Sequence, residues 1–94
     1  MSIQTLTEKE IIIGGWSAYS KPTSAQLEIF NQALTGFNGV KYTPHLISFQ
    51  IVNGVNYRYK CPASLPHGEV YWEAIIEIFA PINDTPYVTG IIRI

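Results

Sequence analysis

A nucleophile, a base and a carboxylate are the usual ingredients of covalent or acid–base catalysis, and this chain supplies few of each. It has one cysteine, Cys61, two histidines, His45 and His67, and one aspartate, Asp84. A reactive thiolate needs an accessible, electropositive setting. Cys61 instead falls on the apolar parity of its segment and reads as a buried structural residue. His67 stands between Pro66 and Gly68 in a turn, and His45 follows Pro44 at the start of an extended run, so both read as structural. A Cys61–His45 pair across neighbouring strands is conceivable, but the structural reading of both residues outweighs it. Glu73 and Glu77 share a parity on a strand, which separates them by roughly 13 Å, too far for a glycosidase pair. No metal-ligand spacing occurs, and Gly14-Gly15 lacks the further glycines and the lysine of a phosphate loop. Tyr57 and Tyr59 interleave with Arg58 and Lys60 as on a nucleic-acid platform. The expectation is a protein that is not an enzyme and needs no cofactor and no metal.

Composition points the same way. In 94 residues, 47% are hydrophobic and 14% charged, which suits one small domain with its own core and excludes a disordered chain. The formal net charge is −1, whereas a protein that neutralises phosphates is basic, so no nucleic acid is expected as a partner. The longest run of aliphatic residues is Ile11-Ile12-Ile13, far short of a bilayer span, so no membrane is expected either. The start of the chain lacks a basic region, an apolar stretch and a small-residue cleavage site. A lone cysteine suits a reducing compartment, and the expected location is cytoplasmic. The Asn83-Asp84-Thr85 sequon, followed by Pro86, reads as a turn.

The elements that must carry these residues follow from periodicity. Residues 1–10 are mixed and polar and read as a flexible arm preceding a single domain over 11–94. The helix signal lies at 23–35: Thr23 and Gln26 form a capping box, Leu27, Phe30, Leu34 and Phe37 recur at spacings of three and four, and Gly36 suits the C-terminal cap. From residue 40 the period becomes two. Strands are expected over His45–Val52, Val55–Cys61, Val70–Phe79 and Tyr87–Ile94. Asn53-Gly54 predicts a two-residue type I′ hairpin with positive φ at both positions. The expected architecture is α+β, one helix covering a four-strand antiparallel meander, with a short additional strand before the helix. A meander puts alternate turns at the same end. The Asn53-Gly54 turn and the Ile82–Thr85 turn are therefore neighbours, and Pro66–Gly68 lies at the far end.

Several of these residues together resemble a known family. Gln50-Ile51-Val52-Asn53-Gly54 fits the Gln-x-Val-x-Gly pattern of the cystatins, and Val55-Asn56-Tyr57 is similar to the run that follows it in stefins, the type 1 branch. Gly14-Gly15 stands ahead of Lys21-Pro22-Thr23 and the helix much as in stefins. Ile78-Phe79 leads into a turn, and Val88-Thr89-Gly90 resembles the stefin segment after it. The resemblance covers residues 11–94.

That resemblance implies a cystatin-like fold, one helix packed on a four- to five-strand antiparallel meander. It also implies a reversible, non-covalent inhibitor of papain-like cysteine proteases that wedges into the active-site cleft. Gly14 would be the trunk glycine, with Ile12 and Ile13 in the non-primed subsites. Gln50, Ile51, Val52, Asn53 and Gly54 would form the first loop of the wedge, and Ile82, Asn83, Asp84 and Thr85 the second. Stefin-like chains occur as monomers or as dimers that exchange segments through the first loop. The sequence departs from the family in a shorter second turn, in the bulky Trp16 after the glycines, and in the thirteen residues before Gly14. Leu65-Pro66-His67 is similar to a stefin Leu-Pro-His but sits in the other hairpin. The alternative is a binding module that uses the same cystatin fold without inhibiting proteases.

Overall fold

The structure, a computed structural model, describes residues 14–68 and 70–94. Ile12, Ile13 and the expected arm at 1–10 lie outside the described residues. The architecture is α+β: helix α1 (Ser24–Ala33) followed by strands β1 (Lys41–Tyr42), β2 (Leu46–Val52), β3 (Gly54–Ser64), β4 (Tyr71–Ala80) and β5 (Tyr87–Arg93). All five strands belong to one antiparallel sheet. β3, β4 and β5 are successive neighbours, and β1 and β2 share the other edge of β3.

The helix begins where the capping box requires. Thr23 Oγ1 accepts from Gln26 N–H at 3.2 Å, and Gln26 Oε1 accepts from Thr23 N–H at 2.9 Å, so two of the donors that open a helix are satisfied reciprocally. The helix closes at Ala33, and Gly36 takes a positive φ of 92° just beyond. Its buried face differs from the expected stripe. Ile29, Phe30, Ala33 and Leu34 meet the core, whereas Leu27 and Phe37 are exposed. The difference is a rotation of the stripe by part of a turn, together with the early end of the helix, which leaves Phe37 outside it.

The core lies between the helix and the inner face of the sheet. Ile47, Tyr59, Cys61, Ile76 and Ile78 are fully buried there with Phe30. These are the alternate residues expected of β2, β3 and β4. Tyr59 fastens the two layers: its ring meets Phe30 edge-on at 4.9 Å, and its hydroxyl donates to Gln26 O at 2.7 Å. Burial, with a smaller contribution from Tyr57 and Cys61, holds the Tyr59 hydroxyl well above its ordinary pKa, so it stays a donor.

Three expectations about the strands are corrected. The fifth strand follows the helix rather than preceding it. Among the described residues before the helix there are isolated bridges, Trp16 to Gln50 and Ser20 to Ile47, because Ser17 interrupts the ladder: Phe49 N–H bonds to Ser17 Oγ at 3.0 Å instead of to a backbone carbonyl. β3 continues past Cys61 to Ser64 and contains Pro62. A proline fits because the edge opposite is broken there. Tyr42 pairs with Ala63 and Leu46 with Lys60, so Thr43–His45 hold one residue more than the segment they face. The first hairpin is not type I′. Among the described residues positive φ occurs only at glycines, so Asn53 lacks the angle such a turn demands. The register, Ile51 opposite Val55 and Val52 opposite Gly54, makes a three-residue loop in which Gly54 alone takes a positive φ, 110°.

Among the described residues, no helix is long and apolar enough to cross a membrane.

Candidate functional site

The residues with catalytic potential do not converge. Cys61 is fully buried, its Sγ donating to Tyr59 O at 3.5 Å, and burial, helped by the charge of Glu73, pushes its thiol up to about 12. Few thiolates exist there at neutral pH. His45 is exposed on the strand edge, its backbone N–H bonded to Lys60 O, and His67 lies in the turn between β3 and β4. Glu73 is exposed. Glu77, on the outer sheet face, pairs with Arg58, Oε2 to Nε 3.1 Å. Among the described residues no group of three His, Cys, Asp or Glu could hold a metal ion. A groove of about 190 Å³ lined by Trp16, Asn56, Glu77 and Thr89 is smaller than the roughly 300–1,000 Å³ of ordinary ligand pockets.

The motif residues, in contrast, gather along one rim of the sheet. Val55 lies opposite both Ile51 and Ala80, and Phe79 opposite Tyr87, so the loop at Val52–Gly54 and the turn between β4 and β5 leave the same end. The β3–β4 turn, with Pro66 and His67, lies beyond the Ser64–Tyr71 pair at the other end. Eleven residues of β3 separate the two ends, about 30 Å of strand. Leu65-Pro66-His67 is therefore remote from the motif.

Gly14 joins the rim from the opposite flank. Its N–H donates to Ile51 O at 3.2 Å, and its carbonyl accepts from Gln50 Nε2 at 2.9 Å. The segment behind it is laced to β2 by Ser17 N–H to Phe49 O at 2.8 Å, Ser48 Oγ–H to Ser17 O at 2.6 Å and a reciprocal pair between Ser20 and Ile47. Gly14 has a φ of 82° and open space where a β-carbon would stand, so conformation rather than crowding calls for glycine. Trp16 bridges to Gln50 and lies beneath the Arg58 guanidinium, 3.9 Å from its ring centre.

The rim thus runs from Gly14 through Val52–Gly54 to Ile82–Thr85. It exposes two aliphatic side chains at its tips, Val52 at 43% and Ile82 at 69%. Asp84 is the one acidic side chain among these residues, and its Oδ1 accepts from Thr85 N–H at 2.7 Å. Gln50 is half-buried, and its Oε1 accepts from Asn56 Nδ2 at 2.9 Å.

Reading the sequence missed two residues that shape this rim: Asn56, which holds Gln50, and Ala80, whose carbonyl confronts Gly54. A hairpin centred on residue 53 would have revealed the Gln50–Asn56 pair. The other depends on packing. No family model matches the chain, and no curated protein matches it.

Proposed function

We propose that this chain is a cystatin-like, reversible, non-covalent inhibitor of papain-like cysteine proteases, and that its rim acts as a wedge in the active-site cleft. One observation carries the reading. Gly14, the Val52–Gly54 loop and the Ile82–Thr85 turn, separate in sequence, stand along one rim with Val52 and Ile82 exposed.

The physical chemistry is that of a plug. Exposed aliphatic tips leave water when they enter a narrow cleft, and each fully buried one contributes about 1.5–3 kcal/mol at most. Glycine at position 14, with open space where a β-carbon would stand, lets the backbone come close to a catalytic thiol without side-chain obstruction. The described residues of the rim carry no group that would react with a thiol. A standard interface buries about 1,600 Å² in total, the scale that a wedge of three adjoining segments would have to reach. Backbone hydrogen bonds tie the Gly14 segment to β2, and the β2–β3 and β4–β5 pairings hold the two loops, which lowers the ordering cost of association. Ile12 and Ile13 would continue the front on the non-primed side. A cytoplasmic setting belongs to the same reading, since Cys61 has no partner cysteine for a disulfide.

The test is titration of a panel of papain-like proteases with the whole chain while the turnover of a small substrate is followed. Stoichiometric loss of turnover is expected. Undiminished activity across the panel, with the chain folded, would leave the same rim as the surface of a binding module instead.

A further inference from the structure

Gly14 would be the most labile part of the rim if only its own chain held it. It is exposed, it is followed by a second glycine, and the next anchor to β2 is the Ser17 N–H to Phe49 O bond three residues along. Yet both of its backbone polar groups are engaged. The N–H reaches Ile51 O, and the carbonyl receives Gln50 Nε2. The second bond depends on which way the Gln50 carboxamide faces. Asn56, directly opposite on β3, donates Nδ2–H to Gln50 Oε1 at 2.9 Å, which leaves the Gln50 NH2 group toward Gly14. A neutral amide presents one acceptor end and one donor end, so the orientation imposed at Asn56 is passed on to Gly14.

We propose that Asn56 and Gln50 form a polar relay across β2 that positions Gly14. Gln50 is then a positioning residue, since its two polar ends are used within the molecule. Asn56, outside the Gln-x-Val-x-Gly run, is one as well. The inference deepens the inhibitor reading and, in its effect on proteases, rests on it. The relay itself does not.

The chemistry supplies a near-isosteric test. Asn56→Asp replaces the donor by a carboxylate that only accepts. Gln50 must then turn its NH2 group toward residue 56 and present its oxygen to the Gly14 carbonyl, two acceptors face to face. Gln50→Glu removes the donor to Gly14 directly. Amide hydrogen exchange, followed residue by residue in the whole chain, reads the result. Gly14 should exchange about three- to tenfold faster in both variants, the loss of one modest hydrogen bond. Ser20, held by Ile47 O at 2.9 Å, should be unchanged. Unchanged exchange at Gly14 in both variants would overturn the relay.

The second measurement is dissociation from a protease that the whole chain inhibits. Asn56→Asp should speed it by a similar factor in the whole chain but not in a chain lacking residues 1–15, which has no Gly14 to position. An equal acceleration in both would show that residue 56 acts elsewhere. If the whole chain inhibits no such protease, the inhibitor reading fails and the exchange data decide the relay by themselves.

Discussion

Gly54 lies so close to Ala80 that a β-carbon at residue 54 would stand 2.7 Å from the Ala80 carbonyl oxygen and 2.8 Å from Phe79 Cζ. The first hairpin loop therefore rests on the start of the second turn. Gly54 is required twice over, for its φ of 110° and for this contact with backbone that cannot swing aside. Gly54→Ala is expected to destabilise the fold by about 2–3 kcal/mol, the range for a strained backbone position joined to a steric conflict. Urea unfolding of the two chains measures it, and equal midpoints would refute the contact. Gly54→Glu, attractive as a probe of cleft entry, reports on folding instead.

Ile82 is the better probe of the rim. At 69% exposure it contributes little to the core. Ile82→Asp should leave the melting temperature nearly unchanged, within about 0.5 kcal/mol of stability. It should weaken inhibition at least tenfold, because a carboxylate would have to be desolvated in the cleft. A variant that inhibits as well as the parent would take the second turn out of the wedge.

The trunk separates into two parts. Removing residues 1–10 should alter neither fold nor inhibition. Removing 1–15 should spare the fold, since the ties from Ser17 and Ser20 to β2 remain. It should raise the inhibition constant tenfold or more through faster dissociation, as Ile12, Ile13 and Gly14 are lost. Inhibition constants for the three chains against one protease decide it. Equal values would favour the binding-module reading, and a loss at the first cut would show that the arm takes part in recognition.

Cys61 predicts the alkaline behaviour. Its folded-state pKa of about 12 lies above the ordinary 9.0, chiefly through burial. The unfolded chain therefore loses the proton first as pH rises. Stability from this group is complete below about pH 9 and declines between 9 and 12. Cys61→Ala should flatten the fall in the urea midpoint between pH 8 and pH 10, and in the parent a disulfide reagent should label Cys61 only as fast as the chain unfolds. Rapid labelling of the folded protein would contradict the burial.

Much of the fold was legible because it rests on local chemistry. Thr23 and Gln26 cap the helix within four residues of sequence. The alternation of Tyr57, Tyr59 and Cys61 with Asn56, Arg58 and Lys60 reflects the two faces of any half-buried strand. The relation between turns follows from the meander alone, and it brings the two loops of the rim together.

What tertiary structure decided lies wherever two segments compete for one space. The Asn53-Gly54 pair suits a type I′ turn in isolation, but the register set by Ile47 opposite Tyr59 in the core centres the hairpin on residue 53 and leaves the positive φ to Gly54 alone. The helix stripe is turned toward Ile29 and Ala33 because Tyr59 draws the Gln26 carbonyl onto the sheet. Gln50 carries no local sign that its amide would be oriented from β3 and spent on Gly14, thirty-six residues away. Periodicity records which side of an element is apolar. It does not record how far neighbouring elements slide or rotate, and packing with hydrogen-bond satisfaction across the sheet makes that choice.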